Sequence, residues 1–328
     1  MAEAAPDILY PTPPWRWAAR SDLWRHWVRE PAKGVPDIVL HNALRFLPTD
    51  LVSALGARLG LRAGKRRPEA TVRARALLRQ LRPDADASAI EALLAAHWAQ
   101  VGRSYAEVSA LHRLWQEGRV EVSGLEHVQA ARAAGRSVLV AGLHVGAWEV
   151  VHASLSALRL PVTGVYQRLP NRFQMRIADA ARQRAWRVGT TIQRLAPTPQ
   201  ALFEASHALR QPGGVMLYYV DEHWRGRVNA PALGRVLRPV GNASLATRLA
   251  AATGAALIPA YALRQGETAR FTLTFLPEVA MALGGRSVAA PNQARLDAAV
   301  EAVVRAHPEQ WLMLHVFRPD PPADLHGR

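Results

Sequence analysis

The chain has 328 residues, 49% of them apolar, which excludes a disordered or fibrous protein and allows one large α/β domain with an appended helical region, or two small domains. Lys and Arg number 41 against 26 Asp and Glu, a formal charge of +15 that predicts an anionic partner: nucleic acid, a membrane surface, a phosphorylated substrate or an acidic protein. No cysteine is present, so disulfides, thiolate metal sites, iron–sulfur clusters and a cysteine nucleophile are excluded together.

The first residues, MAEAAPDILYPTPP, are acidic and Pro-rich and lack the basic and apolar regions of a secretory signal. Trp15, Trp17, Trp24 and Trp27 follow, with Arg16, Arg20, Arg25 and Arg29 between them. At a helical period Trp17, Trp24 and Val28 share one face, with Trp27 at its edge. Such a helix suits a lipid headgroup layer, or packs its Trp face onto the domain. Residues 36–60 predict two short apolar helices parted at Pro48-Thr49-Asp50, a shallow membrane dock or part of a core. No segment approaches the roughly 18 consecutive apolar residues of a spanning helix. The longest uncharged stretch, Leu249–Leu263, contains Gly254 and Pro259 and reads as a helix end, a turn and a buried strand. Gly60 and Gly64-Lys65 resemble a phosphate loop only superficially, because Arg66 stands where Ser or Thr is needed. The GKRRP stretch at Gly64–Pro68 is most simply a solvated basic loop.

Residues 68–82 and 86–116 predict helices, the second with Ile90, Leu93, Leu94, Trp98 and Val101 at helical spacing. From about residue 119 the period changes. Short apolar runs at Val120–Val122, Val138–Gly142, Val162–Tyr166, Val215–Val220, Ala256–Leu263 and Phe271–Leu276 alternate with helical patterns. Those helices fall at 125–134, 147–158, 171–186, 198–210, 243–253 and 292–306. The alternation predicts an α/β fold: a mainly parallel central sheet flanked by helices, with ligands outside the carboxyl ends of the strands.

The segment SVLVAGLHVGAWEVVHASL, residues 137–155, carries the chemistry. A buried strand ends at Leu143-His144-Val145-Gly146, and Glu149 follows in the first turn of a helix. A loop that folds back can bring the Glu149 carboxylate to the imidazole. Nδ1–H of His144 would then be fixed, and Nε2 would be free to take a proton from an attacking hydroxyl. Gly146 allows substrate to approach the backbone, and free amides at the helix start favour an anion. The plain alternative is an ordinary hydrogen-bonded His–Glu pair.

GLHVGAWE resembles the H-x4-D/E box of the glycerolipid and lipid A acyltransferases. The chain is more specifically similar to the bacterial lipid A biosynthesis (lauroyl/myristoyl-type) acyltransferase family. The lead-in VEVSGLEHVQAARAAGRSVLV, the segment VYQRLPNRFQMRIADAARQR, the strand GGVMLYYVDEHWRGR, TGAALIPAY and HPEQWLMLH agree with it in order and spacing, over roughly residues 40–318. The resemblance implies a glycerolipid acyltransferase-like fold and transfer of a fatty acyl chain from an acyl-carrier-protein thioester to a hydroxyl of a phosphorylated lipid A precursor. By likeness His144 is the general base and Glu149 orients it, with no covalent acyl-enzyme and no cofactor beyond the acyl-ACP donor. Arg182 would bind phosphate or steady the oxyanion, with Arg172 and Arg184 as neighbours or as plain exposed basic residues. Tyr166 and Asn171 would line the site, and Asp221 would order the loop at its strand end or form a structural turn. His152 reads as packing. The implied organisation is a membrane-docking helical region at 1–60, the acyltransferase domain at 61–318 and a flexible tail at 319–328. The implied location is the cytoplasmic face of the inner membrane, peripheral or monotopic, on an anionic membrane surface. Family members usually begin with a spanning apolar helix; here the Trp/Arg segment and residues 38–55 stand in its place.

Other acceptors remain open within this class: a lysophospholipid, or a glycolipid such as a phosphatidylinositol mannoside. A nucleic-acid-binding protein would also be basic, but no recognition motif or interleaved stacking aromatics appear, so no nucleic acid partner is expected. A metal hydrolase built on His144, His152 and Glu149 lacks a second ligand cluster, and no metal is expected.

Overall fold

The structure, a computed structural model, describes residues 23–165, 169, 171–187, 189, 193–195, 199–224, 226–282 and 288–318. A π-helical turn at Arg25–Arg29 leads into α1 (Glu30–Leu44). Then come α2 (Thr49–Lys65), α3 (Pro68–Leu81), α4 (Ala87–Glu107) and the short α5 (Leu111–Leu114). The α/β part runs β1 (Val120–Ser123), α6 (Leu125–Ala133), β2 (Val138–Gly146), α7 (Trp148–Ala157), β3 (Val162–Val165), α8 (Arg172–Trp186), β4 (Gln193–Leu195), α9 (Pro199–Arg210) and β5 (Val215–Tyr219). A hairpin of β6 (His223–Trp224) and β7 (Arg227–Val228) precedes α10 (Gly241–Thr253), β8 (Ala256–Arg264), β9 (Phe271–Phe275) and α11 (Ala289–Ala306). Two 3₁₀ turns, Pro308–Gln310 and Leu312–His315, follow α11.

The seven-stranded sheet has the order β1-β9-β8-β2-β5-β3-β4. Every pairing is parallel except β8 with β9. The α/β architecture expected from the alternating pattern is therefore present, as a mostly parallel sheet with one antiparallel pair. β2 is central and buried along its length apart from His144. Its residues alternate between two cores: Leu139, Ala141, Leu143 and Val145 meet α3, α4 and α9 to α11, while Val138 and Val140 meet α6, α7 and α8. That double burial is why its sequence is a nearly unbroken apolar run.

Local chemistry sets the helix ends. Asp86 caps α4 by accepting from the Ala89 amide at 2.7 Å, and Asn171 caps α8 by accepting from Phe173 at 2.9 Å. The helix predicted over 86–116 ends early, at Glu107. Ser109 turns its hydroxyl back onto the Ala106 carbonyl at 2.7 Å, and the chain restarts as α5. β4 and the β6–β7 hairpin escape the sequence pattern, since strands of two or three residues have no detectable period. α2 lies tightly on α4: a Cβ on Gly60 would come within 2.0 Å of the Trp98 carbonyl oxygen. The domain boundary expected at residue 60 falls inside this packed helix.

Of the two readings of the Trp/Arg segment, packing of the Trp face onto the domain is not what forms. The π-helical turn and α1 pack on α8 through His26, Glu30, Gly34 and His41, not through Trp24 and Trp27. Trp24 and Trp27 point outward, 57% and 61% exposed. Trp15 and Trp17 lie outside the described residues. Among the described residues no helix is long and apolar enough to cross a membrane.

Candidate active site

Strands β2 and β5 are parallel neighbours with Gly142 opposite Tyr219. Two residues beyond that pair, His144 and Asp221 leave the sheet side by side at its carboxyl end. Asp221 is fully buried. Its Oδ1 accepts from Nδ1 of His144 at 2.8 Å, and its Oδ2 accepts from the Trp311 indole N–H at 2.9 Å. The backbone N–H of His144 donates to both oxygens, at 2.9 and 3.1 Å. An ionised carboxylate only accepts, so the imidazole proton sits on Nδ1 and Nε2 carries the free lone pair. The His144 side chain keeps 16% exposure. A general base needs this arrangement: one nitrogen fixed by a buried carboxylate, the other open.

The carboxylate that meets His144 is therefore Asp221, not Glu149 as the spacing led one to expect. Glu149 stands in the first turn of α7, and α8 packs beside it. Arg182 of α8 grips it with two hydrogen bonds, at 2.6 and 3.0 Å. Burial works to raise the Glu149 pKa, but the Arg182 charge and hydrogen bonds outweigh it and hold the carboxyl below its ordinary value. Burial likewise opposes the Arg182 charge, and Glu149 more than restores it. Arg182 is thus committed to a protein carboxylate and does not stand free for a phosphate or an oxyanion.

Three other expected substrate contacts serve the N-terminal helix. Asn171 donates to the Glu30 carbonyl at 3.2 Å while capping α8. Arg172 donates to a ring nitrogen and the carbonyl of His26 and pairs with Glu30 at 3.4 Å. Arg184 donates to Nε2 of His41 at 2.9 Å. Burial, with Arg184 and Arg45 nearby, pushes His41 down to about 4, so its ring is neutral and accepts. Gly146 does permit a close approach, but by the chain itself. Its φ is +71°, and a Cβ there would lie 1.9 Å from the Ala262 carbonyl oxygen of β8. His152 packs its ring against Trp186, as expected, with centroids 5.4 Å apart. Tyr166 lies outside the described residues.

Several site residues were not singled out from sequence. Trp311 both donates to Asp221 and closes the sheet through a bridge from its residue to Val145. Tyr219 lies against the His144 ring, centroids 4.5 Å apart, and donates to the Trp148 carbonyl at 2.6 Å. Trp148 stands 6.0 Å from the imidazole and meets Tyr105 of α4 edge-on at 5.5 Å. These rings form one wall beside the base. Glu222 adjoins the dyad in sequence: Oε1 accepts from the Asn242 amide at 2.9 Å, and Oε2 is buried without a hydrogen-bond partner among the described residues. Burial pushes its carboxyl up to about 7, against the Asn242 hydrogen bond and with help from Asp221. The strand ending GGVMLYYVDE carried the signal for these groups, but only the neighbouring strand's register says which carboxylate reaches the histidine.

Residues 37–317 match the family described as bacterial lipid A biosynthesis acyltransferase. The chain is also 31% identical over 207 residues to a phosphatidylinositol mannoside acyltransferase of Mycobacterium tuberculosis H37Rv, and equally to that of the CDC 1551 / Oshkosh strain. Each match covers 62% of this chain and 60% of the relative.

Proposed function

Because the chain belongs to the bacterial lipid A biosynthesis acyltransferase family, we propose that it moves a fatty acyl group from a thioester donor to a hydroxyl of a lipid acceptor. The observation that carries this reading is the His144–Asp221 pair, with Nδ1 tied down and Nε2 open beside an aromatic wall. The acceptor O–H gives its proton to Nε2 of His144 as its oxygen attacks the thioester carbonyl. Asp221 steadies the imidazolium that forms. The tetrahedral intermediate collapses with cleavage of the C–S bond, and the departing thiolate takes the proton back. No acyl-enzyme intervenes, which suits a chain without cysteine. The Glu149–Arg182 pair fixes the first turn of α7 against α8, and with it the position of Trp148 in the wall.

The donor in this proposal is an acyl-carrier-protein thioester and the acceptor a phosphorylated lipid A precursor, at the cytoplasmic face of the inner membrane. The exposed Trp24, Trp27, Val39 and Phe46, interspersed with Arg25, Arg29, Lys33 and Arg45, support attachment to an anionic bilayer surface. A second acceptor, a phosphatidylinositol mannoside, is favoured by the two mycobacterial relatives. Carrier-protein thioesters of several chain lengths should be incubated with each acceptor and with a lysophospholipid, and acyl transfer followed by mass spectrometry. Transfer is expected to one acceptor class and to vanish in His144→Ala; undiminished transfer in a folded His144→Ala protein would overturn the mechanism.

A further inference from the structure

The α2–α3 corner carries five basic side chains, Arg58, Arg62, Lys65, Arg66 and Arg67, all exposed. No Asp or Glu occurs between residues 51 and 68. Among the described residues none of the five side chains forms an ion pair or hydrogen bond, although many other Arg of the chain do. An unpaired cluster of five like charges repels itself and costs stability unless an anion meets it. The corner is also rigid. Gly56, Gly60 and Gly64 lie directly on Gly102 and Trp98 of α4, and Thr71 donates to the Gly64 carbonyl at 2.9 Å.

Its location is the second observation. Tyr105 lies on α4, two turns beyond the Trp98 ring against which Gly64 of the corner packs. Tyr105 meets Trp148, and Trp148 flanks His144. Trp98 also meets the His315 ring, centroids 4.9 Å apart, four residues past the Trp311 that donates to Asp221. The corner thus stands beside the aromatic wall on one hand and the strand end of the dyad on the other.

We propose that the α2–α3 corner is the docking surface for the acyl donor: an acidic carrier protein whose phosphate-linked thioester arm runs past Tyr105 and Trp148 to His144. This rests on the acyl-transfer reading for the identity of the donor. A protein partner fits better than a bilayer because the array is rigid and mainly charged. The densest apolar display, from Trp24 to Phe46, lies on and after α1 instead. An acidic helix can match basic side chains mounted on a fixed backbone by charge without apolar insertion, and such contacts act mainly on association and its salt dependence.

The test is direct binding of myristoyl-acyl carrier protein, fluorescently labelled, to the full chain by anisotropy. The wild type is compared with R62E/K65E/R66E and with R210E/R248E/R270E, an equal charge change on exposed residues elsewhere. The proposal expects binding about tenfold or more weaker in the corner variant at low salt, the difference shrinking as salt rises, and near wild-type binding in the control. Sedimentation with phosphatidylglycerol vesicles should be equal for both variants. Equal carrier binding by wild type and corner variant would refute the proposal. So would loss of vesicle binding alone in the corner variant, which would assign the corner to the membrane. Binding needs no turnover: an inactive protein that still binds the carrier through this corner would undo the transfer reading and leave the surface standing. Melting curves of both variants establish that they fold.

Discussion

Replacing Asp221 by Asn separates the two carboxylates that compete for the role of orienting His144. The side chain is isosteric, but it has one oxygen where the site presents three N–H donors. If the amide nitrogen faces His144, Nδ1 must accept, the ring proton moves to Nε2, and the base is lost. If the oxygen faces His144, the amide nitrogen confronts the Trp311 N–H in a fully buried place, leaving groups unsatisfied at about 1–3 kcal/mol each. The first arrangement is therefore preferred by about 2–3 kcal/mol, roughly a 30- to 150-fold loss of correct tautomer. Loss of the charge that stabilises the imidazolium adds to this. The expected fall in kcat is about 10³–10⁴, or about 4–5.5 kcal/mol, with KM changed less than about threefold. Thiol release from the donor can be followed with a chromogenic thiol reagent, since the enzyme has no cysteine to react. Glu149→Gln keeps one of the two hydrogen bonds from Arg182 and should cost kcat about tenfold or less. The reasoning fails if Asp221→Asn stays within tenfold of wild type while Glu149→Gln loses activity as His144→Ala does.

Arg172→Ala should free the N-terminal helix, seen as faster limited proteolysis near Leu47, while the KM for both substrates stays within about threefold; a tenfold rise in the acceptor KM would restore Arg172 to the substrate site. Gly146→Ala places a Cβ against the Ala262 carbonyl at a positive φ and should destabilise by more than about 2 kcal/mol in urea denaturation. Glu222 binds its proton more tightly folded, near 7, than unfolded. Its contribution is full below pH 4.5 and falls as pH rises to about 7, by on the order of 3 kcal/mol. Glu222→Gln should therefore gain stability relative to wild type as pH rises from 4.5 to 7, measured by melting temperature; a pH-independent difference would contradict the shift.

Most of the scaffold was legible in the order of apolar runs, because β2, β5 and β8 are buried on both faces and carry no interruption. His144 was legible for a local reason: it ends such a run beside Gly146. Its partner was not. Spacing along the chain favours Glu149, five residues away, whereas the contact is made 77 residues away through the parallel register of two strands. Arg182 misleads in the same manner. A buried arginine and a phosphate-binding arginine look alike in sequence, and only the two hydrogen bonds to Glu149 distinguish them. The outward turn of Trp24 and Trp27 was equally invisible, because a helix with Gly34 on one face and Trp on the other can seat either face. Here Gly34 lets α1 approach Phe173 closely, which a Trp face could not do.

The indole of Trp311 reaches Asp221 across 90 residues of sequence. A chain made from its N-terminus brings His144 and Asp221 out of the ribosome well before Trp311. Until then the carboxylate lacks its third N–H donor and β2 its bridge at Val145. A nascent chain should therefore hold an unfinished His144–Asp221 pair, completed only after the α11 helix and the turns beyond it have emerged from the ribosome.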